Sequence, residues 1–124
     1  MTILSWMLAS RDALCAVQGH VTILGEPIAS GEVMFNPGDG APGQRRSALI
    51  AGGAYSLPLA RGLLRNQKYV VEIRAMRPTG RLYRSQGQEV DELEQFLPSR
   101  FNTASELEAR PTSTRYQLDY DLSP

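Results

Sequence analysis

One cysteine, one histidine and a late cluster of carboxylates are the side chains through which this sequence could do chemistry. Cys15 and His20 stand five residues apart. A thiol and an imidazole make a nucleophile pair only when they share a surface. At the start of an edge strand they would do so weakly, because His20 falls on the polar face and Cys15 lies ahead of the periodic region. A hydrolase built on His20 therefore stays an outsider. A single histidine is too few for a His-rich metal centre. Glu89, Asp91, Glu92 and Glu94 are plentiful, but acid–base work asks for a carboxyl partly buried beside apolar groups, and on a connection these acids are solvated. With Asp119 or Asp121 they offer oxygen ligands to Ca²⁺, although no twelve-residue calcium loop is present. The inventory predicts no catalytic residue, no metal or cofactor site and no enzymatic activity.

A lone cysteine also excludes an internal disulfide, which leaves Cys15 as a free thiol, an intermolecular link or a lipid attachment point. The formal charge is zero but unevenly spread. From Gln44 to Arg84 eight arginines and one lysine face the single Glu72, whereas Ser85 to Pro124 holds eight acids and three arginines. Opposite halves of this kind either pair internally or bring copies together head to tail. Nucleic-acid binding is excluded, because it needs a net basic surface with stacking aromatics, and only Tyr55, Tyr69 and Tyr83 lie in the basic half.

These side chains must be positioned by one domain, since 124 residues bury one core and not two. The apolar opening Met1 to Ala9 is far shorter than the ~20 residues of a membrane-spanning helix. Its first cation, Arg11, follows the apolar run, so it is a degenerate signal segment, a short helix or an arm reaching a neighbour. Residues 1–15 are read as that arm, and residues 16–124 as the domain. From Ala16 the period is two: Val17, Gly19, Val21 and Ile23 alternate with Gln18, His20 and Thr22. The pattern recurs around Val33 and Phe35, around Tyr55 to Leu59, from Tyr69 to Ala75, and from Tyr116 to Leu122. Ser47 to Ile50 and Glu106 to Arg110 complete about seven strands. Gly25-Glu26-Pro27, the stretch Asn36 to Gly43, and Gly52-Gly53 mark the reversals, the last being a two-residue hairpin pair in which both residues take positive φ. Short strands without intervening helices predict an all-β, antiparallel sandwich. Residues 76–103 are a long connection, in which Val90, Leu93, Phe96 and Leu97 recur at helical spacing up to Pro98. The expectation is a partly helical lid.

Gly19, Val21, Pro27, Gly31 and Val33, then Gly53-Ala-Tyr55-Ser-Leu57 and Lys68-Tyr69-Val70-Val71-Glu72-Ile73, resemble the carboxypeptidase regulatory-like domain, a transthyretin-like relative of the immunoglobulin sandwich. The phrase Phe96-Leu-Pro-Ser-Arg-Phe-Asn-Thr103, with Ser105-Glu-Leu107 and Leu118-Asp-Tyr-Asp-Leu122, is similar to small proteins of planctomycete bacteria. The resemblance implies a seven-stranded immunoglobulin-like sandwich and an extracytoplasmic setting, often behind a lipoprotein signal whose cysteine would be Cys15. Membrane contact would then run only through that lipid. The transthyretin relatives that hydrolyse 5-hydroxyisourate carry two histidines and a C-terminal Tyr-Arg-Gly-Ser; here Tyr83-Arg-Ser85 is internal, and that activity is rejected. The function expected is a binding or assembly module that meets a protein or glycan through residues 76–103, using Tyr83, Arg84, Phe96, Arg100 and Phe101, whose rings and guanidiniums supply area and hydrogen bonds. The alternative is a self-assembling subunit whose arm, Met1 to Cys15, adds to the sheet of a neighbouring copy.

Overall fold

Period-two patterning becomes sheet along most of the chain in the computed structural model, which describes residues 13–123. In chain order the strands are β1 (Leu14–Ile23), β2 (Glu26–Pro27), β3 (Ser30–Pro37), β4 (Arg46–Ala51), β5 (Ala54–Leu57), β6 (Leu63–Leu64), β7 (Tyr69–Ser85), β8 (Gln88–Gln95), β9 (Glu108–Ala109), β10 (Arg115–Gln117) and β11 (Tyr120–Leu122). The helical elements among the described residues are single 3₁₀ turns at Leu59–Arg61 and Ser99–Phe101. The chain is all-β. Its sheet runs β10-β1-β5-β4-β3-β7-β8, with β2, β6 and β11 also on β1 and β9 on β7. This mostly antiparallel open sheet is consistent with a β-sandwich. Gly52 and Gly53 both take positive φ, as the sequence predicts, and turn β4 into β5. The expectations for the apolar arm fall on residues 1–12, outside the described residues, except that β1 already includes Leu14 and Cys15.

Alternation along each strand sends one set of side chains into a single core. Cys15, Val17 and Val21 of β1, Val33 and Phe35 of β3, and Tyr69, Val71, Ile73 and Ala75 of β7 are all buried there. Phe35 and Tyr55 meet with ring centroids 6.2 Å apart. The phrase Phe96 to Thr103 has a packing role. Phe101 enters the core, and the buried Asn102 donates from Nδ2 to the carbonyls of Ile73 (3.3 Å) and Pro98 (3.2 Å). Its Oδ1 accepts the Thr103 N–H at 2.9 Å. A buried amide that meets its partners in this way holds the segment against β7.

Three expectations are corrected. First, residues 76–95 are a hairpin and not helix, which leaves the 3₁₀ turn at Ser99–Phe101 as the helical part of the 76–103 connection: β7 continues to Ser85, Gln86 and Gly87 both take positive φ, and β8 returns antiparallel to it. Two adjacent left-handed residues define the two-residue turn that suits strand twist. The helical spacing of Val90, Leu93 and Phe96 misleads because β8 lies beyond the core, where burial selects neither period. Second, β1 is no edge strand, since β5 pairs on one side and β10 and β11 on the other. Third, the expected strand from Tyr116 to Leu122 splits in two, and both pieces run parallel to β1 instead of antiparallel.

The split has a steric origin. The Leu118 carbonyl oxygen sits 1.8 Å from where a Cβ on residue 19 would be, a place free only because that residue is glycine. Tyr55, opposite Gly19 on β5, donates its hydroxyl to this oxygen at 2.6 Å. The Leu118 N–H reaches the Gln18 carbonyl at 2.9 Å. Burial pushes the Tyr55 hydroxyl well above its ordinary pKa, so it remains a donor at any physiological pH.

Tyr55→Phe is expected to lower unfolding stability by about 1–3 kcal/mol, because it removes the donor from the partly buried Leu118 carbonyl. Gly19→Ala should cost more, since the Leu118 backbone must move. Urea unfolding followed by far-UV circular dichroism checks both, and a Gly19→Ala chain as stable as the parent would refute the close contact.

Candidate functional site

The outward face of β1 carries Gln18 and His20, and the break between β10 and β11 places Asp119 beside them. Asp119 Oδ1 accepts the His20 backbone N–H at 2.8 Å and the Gln117 side-chain amide at 2.9 Å, and lies 3.6 Å from His20 Nδ1. The His20 backbone N–H is the largest influence on the carboxyl and the Gln117 amide the next; both hold it below its ordinary value of 3.8. Asp119 thus substitutes for a main-chain acceptor at the point where the parallel ladder breaks. At 3.6 Å the imidazole and carboxylate are beyond hydrogen-bond distance, and among the described residues no nucleophile is hydrogen-bonded to the imidazole. Cys15 cannot be that nucleophile, because strand alternation turns it into the core while His20 faces out. The Cys15 thiol has no exposed surface, and burial raises its pKa, with Arg65 opposing. In this fold it meets a lipid or a second thiol only when β1 leaves the sheet.

Beside this group lies a cleft that no sequence motif announced. β4 and β5 meet only at Ala51 and Ala54 and then diverge, leaving an opening of about 910 Å³. Tyr55 and Leu57 face Gly19 and Val17 in the antiparallel ladder with β1. Antiparallel bonding alternates from residue to residue. The N–H and C=O of Ser56 therefore turn away from β1 and into the opening. Counting in twos from Ala51, those of Leu49 and Ser47 enter it from β4. Arg45, Arg46 and Arg61 line the cleft, and among the described residues no carboxylate does. Arg45 is held in place, since its Nε donates to Asn36 Oδ1 at 2.7 Å while Asn36 Nδ2 donates to Glu72 at 2.9 Å. Leu49 on its outward face is 78% exposed. An unpaired strand edge beneath clustered guanidiniums can add an extended, acidic segment. The basic run from Gln44 was the one available signal for this surface, since the divergence of β4 from β5 is decided by distant pairings.

The five residues expected to form a partner surface do not converge. Tyr83 and Arg84 sit near the turn of the β7–β8 hairpin, opposite Val90 and Glu89. Phe96 and Phe101 lie at its base, about 20 Å away at the rise of an extended strand. There Arg77 stacks on Phe96 at 5.0 Å and Arg100 on Phe101 at 4.8 Å. Arg100 also donates to the Ser123 carbonyl. These rings and cations satisfy one another, whereas the hairpin exposes Leu82, Tyr83 and Leu93 at half their area or more. The acids of β8 are likewise separated from Asp119 and Asp121. Glu94 pairs with Arg77 and Glu92 with Arg81, each at 3.1 Å, and Asp121 accepts the Thr22 hydroxyl at 2.6 Å. Among the described residues no group of three or more His, Cys, Asp or Glu side chains could hold a metal ion.

No protein-family model matches the chain, and no curated protein matches it. A solved structure that it is similar to is a 9R-lipoxygenase from Cyanothece PCC8801, with 12% identity and a TM-score of 0.43. The match spans 92% of this chain but 17% of that one. The expectation that the chain is not an enzyme is not carried forward: the structure found similar is that of an enzyme, and at this degree of likeness it assigns activity in neither direction. A likeness of that degree carries neither the neighbour's reaction nor its architecture to this chain.

Two measurements check the geometry. The depressed Asp119 carboxyl contributes stability above its unfolded pKa, and this is lost as pH falls through the folded value. Wild type should therefore lose more stability than Asp119→Asn as pH drops from about 5 to about 2, and parallel urea midpoints would refute the bond to His20. Cys15 should react with a thiol reagent at the rate of local opening and speed up sharply in denaturant, so immediate native labelling would contradict its burial.

Proposed function

We infer that this chain is a protein-recognition module of the immunoglobulin-like sandwich type, akin to carboxypeptidase regulatory-like domains and acting outside the cytoplasm. It presents the β7–β8 hairpin to its partner. The observation that carries this reading is the hairpin itself. Beyond Met76 its two strands leave the core, and the exposed faces hold Leu82, Tyr83 and Leu93 between charged neighbours. Apolar and aromatic side chains on a projecting element have no folding reason to be there, and such groups anchor protein interfaces. Tyr83 is the side chain best suited to be the anchor, with Arg84 beside it as a planar hydrogen-bonding cation.

The ion pairs of the hairpin support the same reading. Arg77 with Glu94 and Arg81 with Glu92 bridge β7 and β8, and all four side chains are largely exposed. Exposed pairs of this kind contribute less than about 1 kcal/mol each to folding. Their effect is to align the two strands where no core does so. A pre-aligned hairpin loses little conformational freedom on binding, which favours affinity.

The test is a photo-crosslinking side chain placed at position 83 in the native host, with position 26 on the far β1–β2 turn as control. A discrete protein adduct at 83 and none at 26 is expected. Against that purified partner, Tyr83→Ala should weaken binding about thirtyfold, the cost of a loss near 2 kcal/mol at an anchor. No adduct at 83, or equal adducts at both positions, would overturn the reading.

A further inference from the structure

We propose that the cleft between β4 and β5 is a strand acceptor and that its occupant is the free edge of β8 from a second copy of this chain. The inference rests on the hairpin being the recognition element and names both the partner and the receiving surface.

Four observations meet here. β8 ends the sheet path, so one of its edges has no strand beside it among the described residues. β4 is unpaired on the cleft side beyond Ala51. Edges of this kind in one molecule complete each other by main-chain hydrogen bonds. The charges match as well. Arg45, Arg46 and Arg61 line the cleft without a carboxylate among them, and none of the three has an ion-pair partner among the described residues. On β8, Glu92 and Glu94 are taken by Arg81 and Arg77, while Glu89 and Asp91 have no such pair among the described residues. Alternation places Glu89, Asp91 and Leu93 on one face of β8. It likewise places Ser47 and Leu49 on the outer face of β4, with Arg45 leading into it. A parallel register then sets Leu93 beside Leu49, Asp91 beside Ser47 and Glu89 beside Arg45. Two exposed leucines are covered, and two free acids meet the basic rim.

The space is sufficient. Five residues of strand, at a rise of roughly 3.3 Å, a strand spacing of about 4.8 Å and a layer depth of about 10 Å, fill about 800 Å³, against about 910 Å³ in the cleft. Donor and acceptor lie at different places on one molecule, so the contact is head to tail and generates open chains or rings.

The experiment is sedimentation velocity of the full chain from about 10 μM to about 1 mM at low salt. Oligomers that grow with concentration and shrink in about 1 M salt, where the screening length falls to about 3 Å, are expected. Arg45→Glu with Arg61→Glu in one variant, and Glu89→Lys with Asp91→Lys in another, should each weaken association at least about tenfold. An equimolar mixture should restore assembly, because each variant's hairpin then finds the other's cleft. The hairpin variant lies off the core, so its folding is independent of the cleft, and far-UV circular dichroism verifies it. Three outcomes overturn the proposal: a monomer throughout that concentration range, a mixture that stays monomeric, or assembly abolished only by removing residues 1–11. A monomer whose position 83 still captures a foreign protein refutes the self-contact alone, whereas a monomer without any adduct refutes the hairpin reading too.

Discussion

The Leu118 carbonyl lodged over Gly19 and held by the Tyr55 hydroxyl is the contact on which the arrangement of this molecule depends. It draws the end of the chain against its beginning. β10 and β11 then cover one side of β1, and β5, β2 and β6 cover the other. The strand that carries Cys15, Val17 and Val21 is thereby sealed into the middle of the sheet. Unpaired backbone edges cost little in water but attract other strands, and among the described residues such edges remain at β10 and β11 at one end of the sheet, at β8 at the other, and at the β4–β5 opening.

Polar side chains repair what this contact disturbs. The parallel ladder from β10 to β11 skips at Leu118 and Asp119, and the Asp119 carboxylate takes the His20 N–H that the ladder leaves over. Asn102 does similar work where the chain leaves β8, binding the carbonyls of Ile73 and Pro98. In both places a polar side chain, one of them the Asp119 that the sequence offers as a cation ligand, is spent on main-chain hydrogen bonds. This accounts for the Phe96 to Thr103 phrase as architecture. Its two aromatic rings are covered by Arg77 and Arg100, and neither is free to anchor a partner.

The hairpin shows the opposite balance. Along β7 the inner half is buried in alternation and the outer half is exposed on both faces. Hydrophobic burial cannot set register where nothing is buried, so register there is carried by the Gln86–Gly87 turn and by cross-strand Arg–Glu pairs. Such an element keeps its shape through local interactions, which frees its side chains for contacts beyond the molecule. The charge asymmetry of the chain is resolved in part within this element, where arginines of β7 meet acids of β8, and in part remains as the basic cleft.

The strands of the core, from Val17 to Ala75, were legible because each buries one face, and burial writes a period of two into the residues that make it. The Gly52-Gly53 reversal was legible for a local reason too, since both positions need a left-handed backbone. The hairpin at 76–95 was hidden because outside the core neither period is enforced, and Val90, Leu93 and Phe96 fell at helical spacing without helical burial. The direction of β10 and β11, the central place of β1, the burial of Cys15 and the β4–β5 cleft all depend on which distant segments pair. Pairing between residues about a hundred positions apart leaves no periodic trace, only single requirements such as the glycine at 19. Local alternation therefore determined that this chain is a sheet around one core, and long-range strand pairing alone decided which edges and charges it leaves open.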